Sequence, residues 1–447
     1  MAGADVSVAV VGAGIAGLAY AAEAAQLGDV AVLEAGNRVG GEIVSERVAG
    51  RICEHAVASV LIPAEGVSTL VATTAAAGSL LEAAPAAKRR WIYDRDGLVA
   101  LPVSPPEAIT SPVLSPWAKV GALLEVFVRP LAEEREESVS DFVARRFGAE
   151  VAARLAQPVV AGTFGGSASR VSVDAAFPVL RELERGGGVI RAGLRRLRTS
   201  RKAGVPRARL HSFADGMETL PRAVAASLGD AVVTNRRVDA LERAGGLWRL
   251  HGEGPPLTAA RVCLAVGAAA AATLLAPHDD ELAALLRGVQ RAPIAVVHLG
   301  LPAGVLASEP GFGYLAHPRS GSSILGAVFD SMLFPGRAPE GEDLVRVLAG
   351  GVLRPELVDL GDEALIALAL GDLGTAWSRD DLEATFTNVV RNTRGIPQYE
   401  IGHAHRVADA DRRAAALGGV DLVGWSYRAI GLGSGIADAV RKARSHA

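Results

Sequence analysis

VSVAVVGAGIAGLAYAAEAAQLGDVAVLE, residues 6–34, decides the fold class by the order of its residue types. Val6 to Val11 is a nearly continuous apolar run, the pattern of a strand buried on both faces of a parallel sheet. Gly12-Ala13-Gly14-Ile15-Ala16-Gly17 then fits GxGxxG, and Leu18 to Leu27 reads as an Ala-rich helix closed by Gly28. The three glycines serve different ends, since Gly12 permits a tight turn, Gly14 lets the backbone approach a diphosphate, and Gly17 allows close helix–strand packing. A second strand, Val30 to Leu33, ends at Glu34, about twenty residues beyond the glycines, where a carboxylate can accept ribose hydroxyls. An ordinary Gly-rich turn would need none of these neighbours, so the stretch reads as a dinucleotide site.

The next residues narrow the cofactor. Glu34 is followed by Arg38-Val39-Gly40-Gly41, and this Glu-x-x-x-Arg-x-Gly-Gly continuation resembles the large family of FAD-dependent amine oxidases, desaturases and protoporphyrinogen oxidases. The resemblance implies FAD rather than NAD, and puts Ala35, Arg38, Gly41 and Glu42 beside the glycines as cofactor-binding residues. It implies a flavin wall at Ala56, Val57, Ala58 and Ser59, where Ala56-Val57 replaces the family's Gly-Pro. It also implies an adenine contact through the backbone of Val238, after a Phe213-to-Leu220 segment in which Asp215 replaces a glycine. At the carboxyl end, Ile430-Gly431-Leu432-Gly433-Ser434-Gly435 leads to a final helix expected near Ile436, with Ser434 as cap and its N–H groups facing the flavin. Here Gly424-Trp425 stands for the family's Gly-Asn, and Ser434-Gly435 for Asp-Cys.

At 447 residues more than one domain is expected. The net charge of −3 gives no basic surplus for a phosphate backbone, which argues against nucleic acid as partner. Hydrophobic residues reach 50% with only 4% aromatics and 51 Gly, so the core material is mainly Ala, Val and Leu, as in α/β proteins. Cys53 and Cys263 match no metal or disulfide spacing, which fits a reducing compartment. The apolar run at the amino terminus carries Gly12, Gly14, Gly17 and Glu23 and reads as a folded motif rather than a signal peptide. The uncharged stretch Val262 to His278 is interrupted by Gly267 and Pro277, so no membrane span is expected, while peripheral contact at the inner face of the cell membrane stays open for a cytoplasmic protein.

The expected architecture is α/β: an FAD-binding Rossmann-type core with a mixed-sheet substrate domain and an inserted helical domain. The core is discontinuous, at 1–80, 207–272 and 402–447; the substrate domain takes 81–98 and 273–401; the helical insertion is 99–206. Prolines and apolar residues alternate from Pro102 to Pro130, and a charged run from Glu133 to Arg146 opens a helical stretch with Ser140 or Asp141 as caps. The apolar opening faces a membrane or, preferably, a neighbouring domain. The arginine-rich Glu182 to Arg201 reads as a solvated helix and linker. Val296 to Gly300, Gly311 to Leu315 and Ser323 to Phe329 read as strands, covered by helices at Asp343 to Ala349 and Asp362 to Leu370.

Further patches resemble protoporphyrinogen oxidases in particular: residues 87–91 (AKRRW), 158–166 (PVVAGTFGG), 292–300 (APIAVVHLG) and 395–403 (GIPQYEIGH). The resemblance implies that Arg90 holds a substrate propionate, that Ile294 and Phe312 flank a tetrapyrrole, and that Phe164 and Gly166 belong to a loop near the reacting ring. It implies successive hydride transfers from a porphyrinogen to flavin, with oxygen as acceptor. No Ser/His/Asp set, HExxH or clustered metal ligand occurs, so no catalytic side chain is assigned, and His298, His403 and His405 read as strand or loop residues. The alternatives are another flavin oxidase or desaturase acting on a specialised metabolite, and a non-catalytic relative that retains the fold; a homodimer is left open.

Overall fold

In the computed structural model, which describes residues 4–95, 97–102, 105–131, 135–428 and 430–446, VSVAVV forms the strand Val6–Val11 at the centre of a parallel sheet. Val30–Leu33 pairs on one side, with Val232–Val233 beyond it, and Leu257–Leu264 pairs on the other. The second half of Leu257–Leu264 also pairs in parallel with Val420–Leu422, while its first half joins the antiparallel pair Leu247–Gly252 and Val238–Ala244. Three distant parts of the chain thus make one sheet, and their parallel strands put the backbone turns of all three at the same carboxyl edge.

The first helix runs Ile15–Ala24, starting three residues before the expected Leu18 and ending before Leu27. Gly14 is extended at its amino end with no side-chain cap, and Gly12 takes φ +102° to turn the chain there. A Cβ on Gly17 would stand 2.2 Å from the Gly12 carbonyl and 2.8 Å from the Ala265 Cβ, so the helix lies against the sheet at backbone distance. Leu18 and Tyr20 of this helix are fully buried with Phe213 and, from the final helix, Ile436 and Ala439. Burial of each large side chain of this kind contributes about 1.5–3 kcal/mol.

The second sheet has seven strands, in the order Phe386–Pro397, Arg291–Pro302, Glu342–Gly350, Ile324–Val328, Gly313–Ala316, Trp91–Asp94 and Gly97–Ala100. All neighbours are antiparallel except Gly313–Ala316 with Trp91–Asp94. The helix expected at Asp343 to Ala349 is instead part of an interior strand of this sheet, because Val345 and Val347 bury one face and Leu344 the other. Asp343 accepts the N–H groups of Gly304 and Leu306, at the start of the short helix Val305–Ser308, rather than capping a helix of its own. The Asp362 helix extends to Trp377 and covers the sheet with Leu365, Ala369 and Leu373.

In the inserted segment, the helix Val139–Phe147 is capped by Ser138, whose Oγ accepts the Asp141 N–H at 3.0 Å, so Ser140 and Asp141 lie inside it. Glu133 and Glu134, the start of the expected charged run, lie outside the described residues. The Glu182 to Arg201 stretch breaks at Gly186–Gly188 into Pro178–Arg185 and Val189–Lys202. It is only partly solvated: Glu184 is buried and contacts both Arg146 and Arg181, while Arg146 also pairs with buried Glu125. The apolar opening packs only in part, against the helices that follow it, and leaves a set of apolar side chains facing outward. Ile109, Trp117, Val120, Leu123, Leu124 and Phe127 are all half-exposed or more, with Trp117 84% exposed. Among the described residues, no helix is long and apolar enough to cross a membrane.

Candidate active site

The carboxyl edge of the parallel sheet opens into a cavity of about 420 Å³. Gly12, Gly14, Ile15 and Ala16 line it at the first helix start, Glu34, Gly41 and Glu42 at the next turn, and Ala56 and Val57 on the flank. Ile430, Gly431, Leu432 and Gly435 close it from the carboxyl-terminal segment. A second cavity of about 260 Å³ shares Gly12, Glu34 and Val266 with the first and adds Ala35 and Val238. The two form one elongated trough that passes Glu34.

Glu34 is fixed at that junction by the backbone: Oε2 accepts the Ala13 N–H and Oε1 the Gly36 N–H, both at 2.8 Å. Each carboxylate oxygen retains a further acceptor site, enough for the two hydroxyls of a ribose. Two helices end at the trough without side-chain caps, Ile15–Ala24 at Gly14 and Leu432–Arg444 at Gly431. Their unpaired N–H groups and positive dipole ends make an anion site. The final helix therefore starts four residues before Ile436, and Ser434 sits in its first turn instead of capping it.

Several expected cofactor residues stand behind the wall rather than on it. Ala13 and Gly17 are buried under the turn. Arg38 donates to the carbonyls of Val39, Gly41 and Ile43, bracing its own loop. Ala58 and Ser59 are half-buried and line neither part of the trough, and Gly433 packs towards Ala64 and Val67.

Other lining residues went unassigned in the sequence: Ile43, Ala265, Val266, Gly267, Arg291 and Val423 to Ser426. Most lie just past the carboxyl ends of parallel strands, the place where open α/β sheets bind ligands, so strand order would have found them. Arg291 comes from the other sheet and has no such signal.

The flank at Ala56 is held from below by buried polar groups. Arg346 donates to the Ala56 carbonyl at 2.9 Å, and His298 Nε2 donates to the Glu54 carbonyl at 3.1 Å. The Glu54 side chain accepts from Ser45 Oγ at 2.6 Å and from the Met217 N–H at 2.9 Å, with Arg337 at 3.6 Å. Burial raises the carboxyls of Glu54 and Asp330 above their ordinary range. Burial pulls His298 down to about 3 and His403 down to about 4, which makes both neutral donors to carbonyls rather than bases. His403 and His405 belong to the helix His403–Ala416, not to a strand or loop.

A separate cavity of about 420 Å³ lies between the helix Gln157–Phe164 and the second sheet. Arg90 and Phe312 both line it, with the guanidinium carbon 5.0 Å from the ring centroid. Leu315, Leu325 and Leu348 make its apolar wall, and Ile294 packs behind that wall with Leu325 and Leu348. Arg90 is exposed at the rim; the atoms crowding its guanidinium lower its pKa, and among the described residues no carboxylate pairs with it. Phe164 and Gly166 are not brought to this cavity. The Phe164 ring is fully buried edge-on to Phe177 and Tyr399, and Gly166 is buried beside Gln398.

The trough suits an extended dinucleotide. A Cβ on Gly41 would come within 3.2 Å of the Gly14 Cα, so the two glycine turns meet at a distance that leaves no room for a side chain between them. Among the described residues, no group of three His, Cys, Asp or Glu could hold a metal ion.

Comparison with known proteins agrees with this geometry. Residues 15–447 match the family described as flavin containing amine oxidoreductase. Protoporphyrinogen oxidase 1 of spinach chloroplasts (Spinacia oleracea) is 30% identical over 92% of this chain and 78% of its own length. Coproporphyrinogen III oxidase of Bacillus subtilis (strain 168) is 26% identical over 95% of this chain and 94% of its own. A crystal structure from Exiguobacterium sp. 255-15 superposes with a TM-score of 0.82 at 22% identity, covering 100% of this chain and 99% of the other.

Proposed function

The chain belongs to the flavin-containing amine oxidoreductase family, and from that premise we propose that it is an FAD-dependent oxidase that converts a porphyrinogen, in the first place protoporphyrinogen IX, to the porphyrin with oxygen as acceptor. The observation that carries the reading is the cavity apart from the cofactor trough, apolar along its walls and carrying over Phe312 at its rim the Arg90 guanidinium, which no carboxylate pairs among the described residues. A large, apolar tetrapyrrole macrocycle with carboxylate arms suits that combination.

Bound FAD supplies a two-electron acceptor for hydride that oxygen can regenerate, and three such rounds would take a porphyrinogen to the aromatic porphyrin. The chain's own residues bind, orient and exclude water. Gly12, Gly14 and Gly41 give the diphosphate bare backbone, Glu34 takes the ribose, and the start of Leu432–Arg444 turns positive dipole toward the trough. Arg90 would fix a propionate as a planar, bidentate donor. Coproporphyrinogen III is the second reading, favoured by the name of the Bacillus relative.

The exposed face of Trp117, Leu123 and Phe127 is proposed as a peripheral contact with the inner face of the cell membrane, where a poorly soluble tetrapyrrole would partition.

Anaerobic mixing of the FAD-loaded protein with each porphyrinogen tests the substrate directly. Loss of the oxidised flavin absorbance, followed by its return on admission of oxygen, is expected. Unchanged flavin absorbance with both would reject the assignment.

A further inference from the structure

Arg291 begins the strand Arg291–Pro302 of the second sheet, yet its side chain lines the cofactor trough together with Glu42, Gly267 and Trp425. Its position is closely determined. Nε and Nη2 donate to the Gly395 carbonyl at 3.0 and 2.6 Å, and Nη2 also donates to Glu42 Oε1 at 3.0 Å. The guanidinium carbon lies 5.3 Å from the Trp425 ring centroid. Asn392 donates to the other Glu42 oxygen at 2.9 Å. Nη1 has no hydrogen-bond partner among the described residues and stands at Gly267, where a Cβ would be 3.2 Å away.

Glu42 directly follows the Gly40-Gly41 turn, so its carboxylate lies in the same cavity as the bare backbone suited to a diphosphate. Two like charges in a confined space repel, and a helix start offers only about half an elementary charge in compensation. Arg38, the nearest other cation on that loop, spends its guanidinium on loop carbonyls. Among the described lining residues of the main cavity, Glu34 and Glu42 are the acids and Arg291 the base. The arginine is also much the less exposed partner, with 17% of its side chain accessible against 41% for Glu42.

We infer that Arg291 is a cofactor-positioning residue: held between Glu42, the Gly395 carbonyl and the Trp425 indole, it cancels the Glu42 charge inside the trough and presents Nη1 to the bound dinucleotide. A cationic anchor from the substrate sheet thereby closes a trough otherwise built from the Rossmann-type sheet. Trp425 is part of the device, since its ring lies under the guanidinium as a cation–π partner. The inference rests on FAD as the cofactor.

FAD affinity of the apoprotein, measured by flavin fluorescence titration, is compared for the full chain and for Arg291→Gln, Arg291→Lys, Glu42→Gln and the double variant Glu42→Gln/Arg291→Gln. Arg291→Gln should weaken binding about tenfold or more, the scale of one charge-assisted contact. Glu42→Gln should bind FAD more tightly than the parent chain, Arg291→Lys should recover part of the loss, and the double variant should bind better than Arg291→Gln alone. The flavin midpoint potential should fall in Arg291→Gln and rise in Glu42→Gln, a pair of opposite shifts that loss of a merely structural bond would not give. If the parent chain takes up no FAD, the cofactor reading fails. If it binds FAD and Arg291→Gln binds it equally well, the inference alone is overturned. A double variant as weak as Arg291→Gln would overturn the charge cancellation.

Discussion

The Glu34 carboxylate accepts the Ala13 N–H at 2.8 Å, so the acid that ends the second strand is bonded to the glycine turn that starts the first helix. The acid proposed to take the ribose is therefore tied directly to the turn proposed to take the diphosphate. Glu34→Ala removes the ribose acceptor and leaves the Ala13 N–H without its partner. Hydrogen bonds to a charged group contribute about 1.5–3 kcal/mol each, so FAD affinity should fall by at least about tenfold. Equal affinities of Glu34→Ala and the parent chain in an FAD titration would contradict the assignment.

Gly17→Ala tests the packing beneath the same turn. The added methyl would meet the Gly12 carbonyl at 2.2 Å and the Ala265 Cβ at 2.8 Å, and backbone cannot rotate away as a side-chain tip can. Overpacking of this kind costs about 1–3 kcal/mol. Thermal unfolding of the apoprotein should shift down by several degrees, together with weaker FAD uptake; an unchanged melting temperature would mean the helix can lift off the sheet.

Arg90→Met keeps the stem over Phe312 and removes the charge. If Arg90 holds a carboxylate in the initial complex and the transition state alike, KM for the porphyrinogen should rise about tenfold with little change in kcat, and Arg90→Lys should recover part of it. A fall in kcat at constant KM would place Arg90 in a different role.

Replacing Trp117 and Phe127 together by Ser removes two of the most exposed rings of the helical insertion. Flotation with anionic phospholipid vesicles should recover the parent chain in the lipid fraction and far less of the variant, with FAD content equal in both. Equal recovery would remove the membrane contact from the proposal.

How far the fold could be read from residues alone depended on whether the signal was local. Val6 to Glu34 was legible because strand, turn, helix and acid follow one another within a single supersecondary unit. Asp343 to Ala349 was misread because an interior strand buries both faces, which erases the alternation that marks a strand, and Asp343 looks like a cap. The start of the last helix was set too late because Gly431, Gly433 and Gly435 look like a loop, although two of them fall within the first helical turn. Arg291 was not legible in principle: its meaning comes from Glu42, 249 residues away, and from Trp425 across the trough.

Acid should destabilise the protein earlier than its carboxylates alone would require. His298 and His403 are buried, and burial lowers them from 6.5 to about 3 and about 4. A histidine lowered in the folded state contributes full stability above 6.5; below that, the unfolded chain binds protons that the folded chain does not. Stability should then fall with pH by up to about 1.4 kcal/mol per unit for each histidine until its folded value is reached. Glu54 and Asp330, raised by burial, work in the opposite sense, since their protonated forms favour the folded state at low pH. Comparison of the parent chain with His298→Gln cancels those shared terms, because Gln can still donate to the Glu54 carbonyl but cannot titrate. The fall in melting temperature from pH 7 to pH 5 should be shallower in His298→Gln even if its absolute stability is lower. Parallel curves for the two proteins would show that His298 takes up no fewer protons folded than unfolded, and that the buried neutral donor under the trough is misassigned.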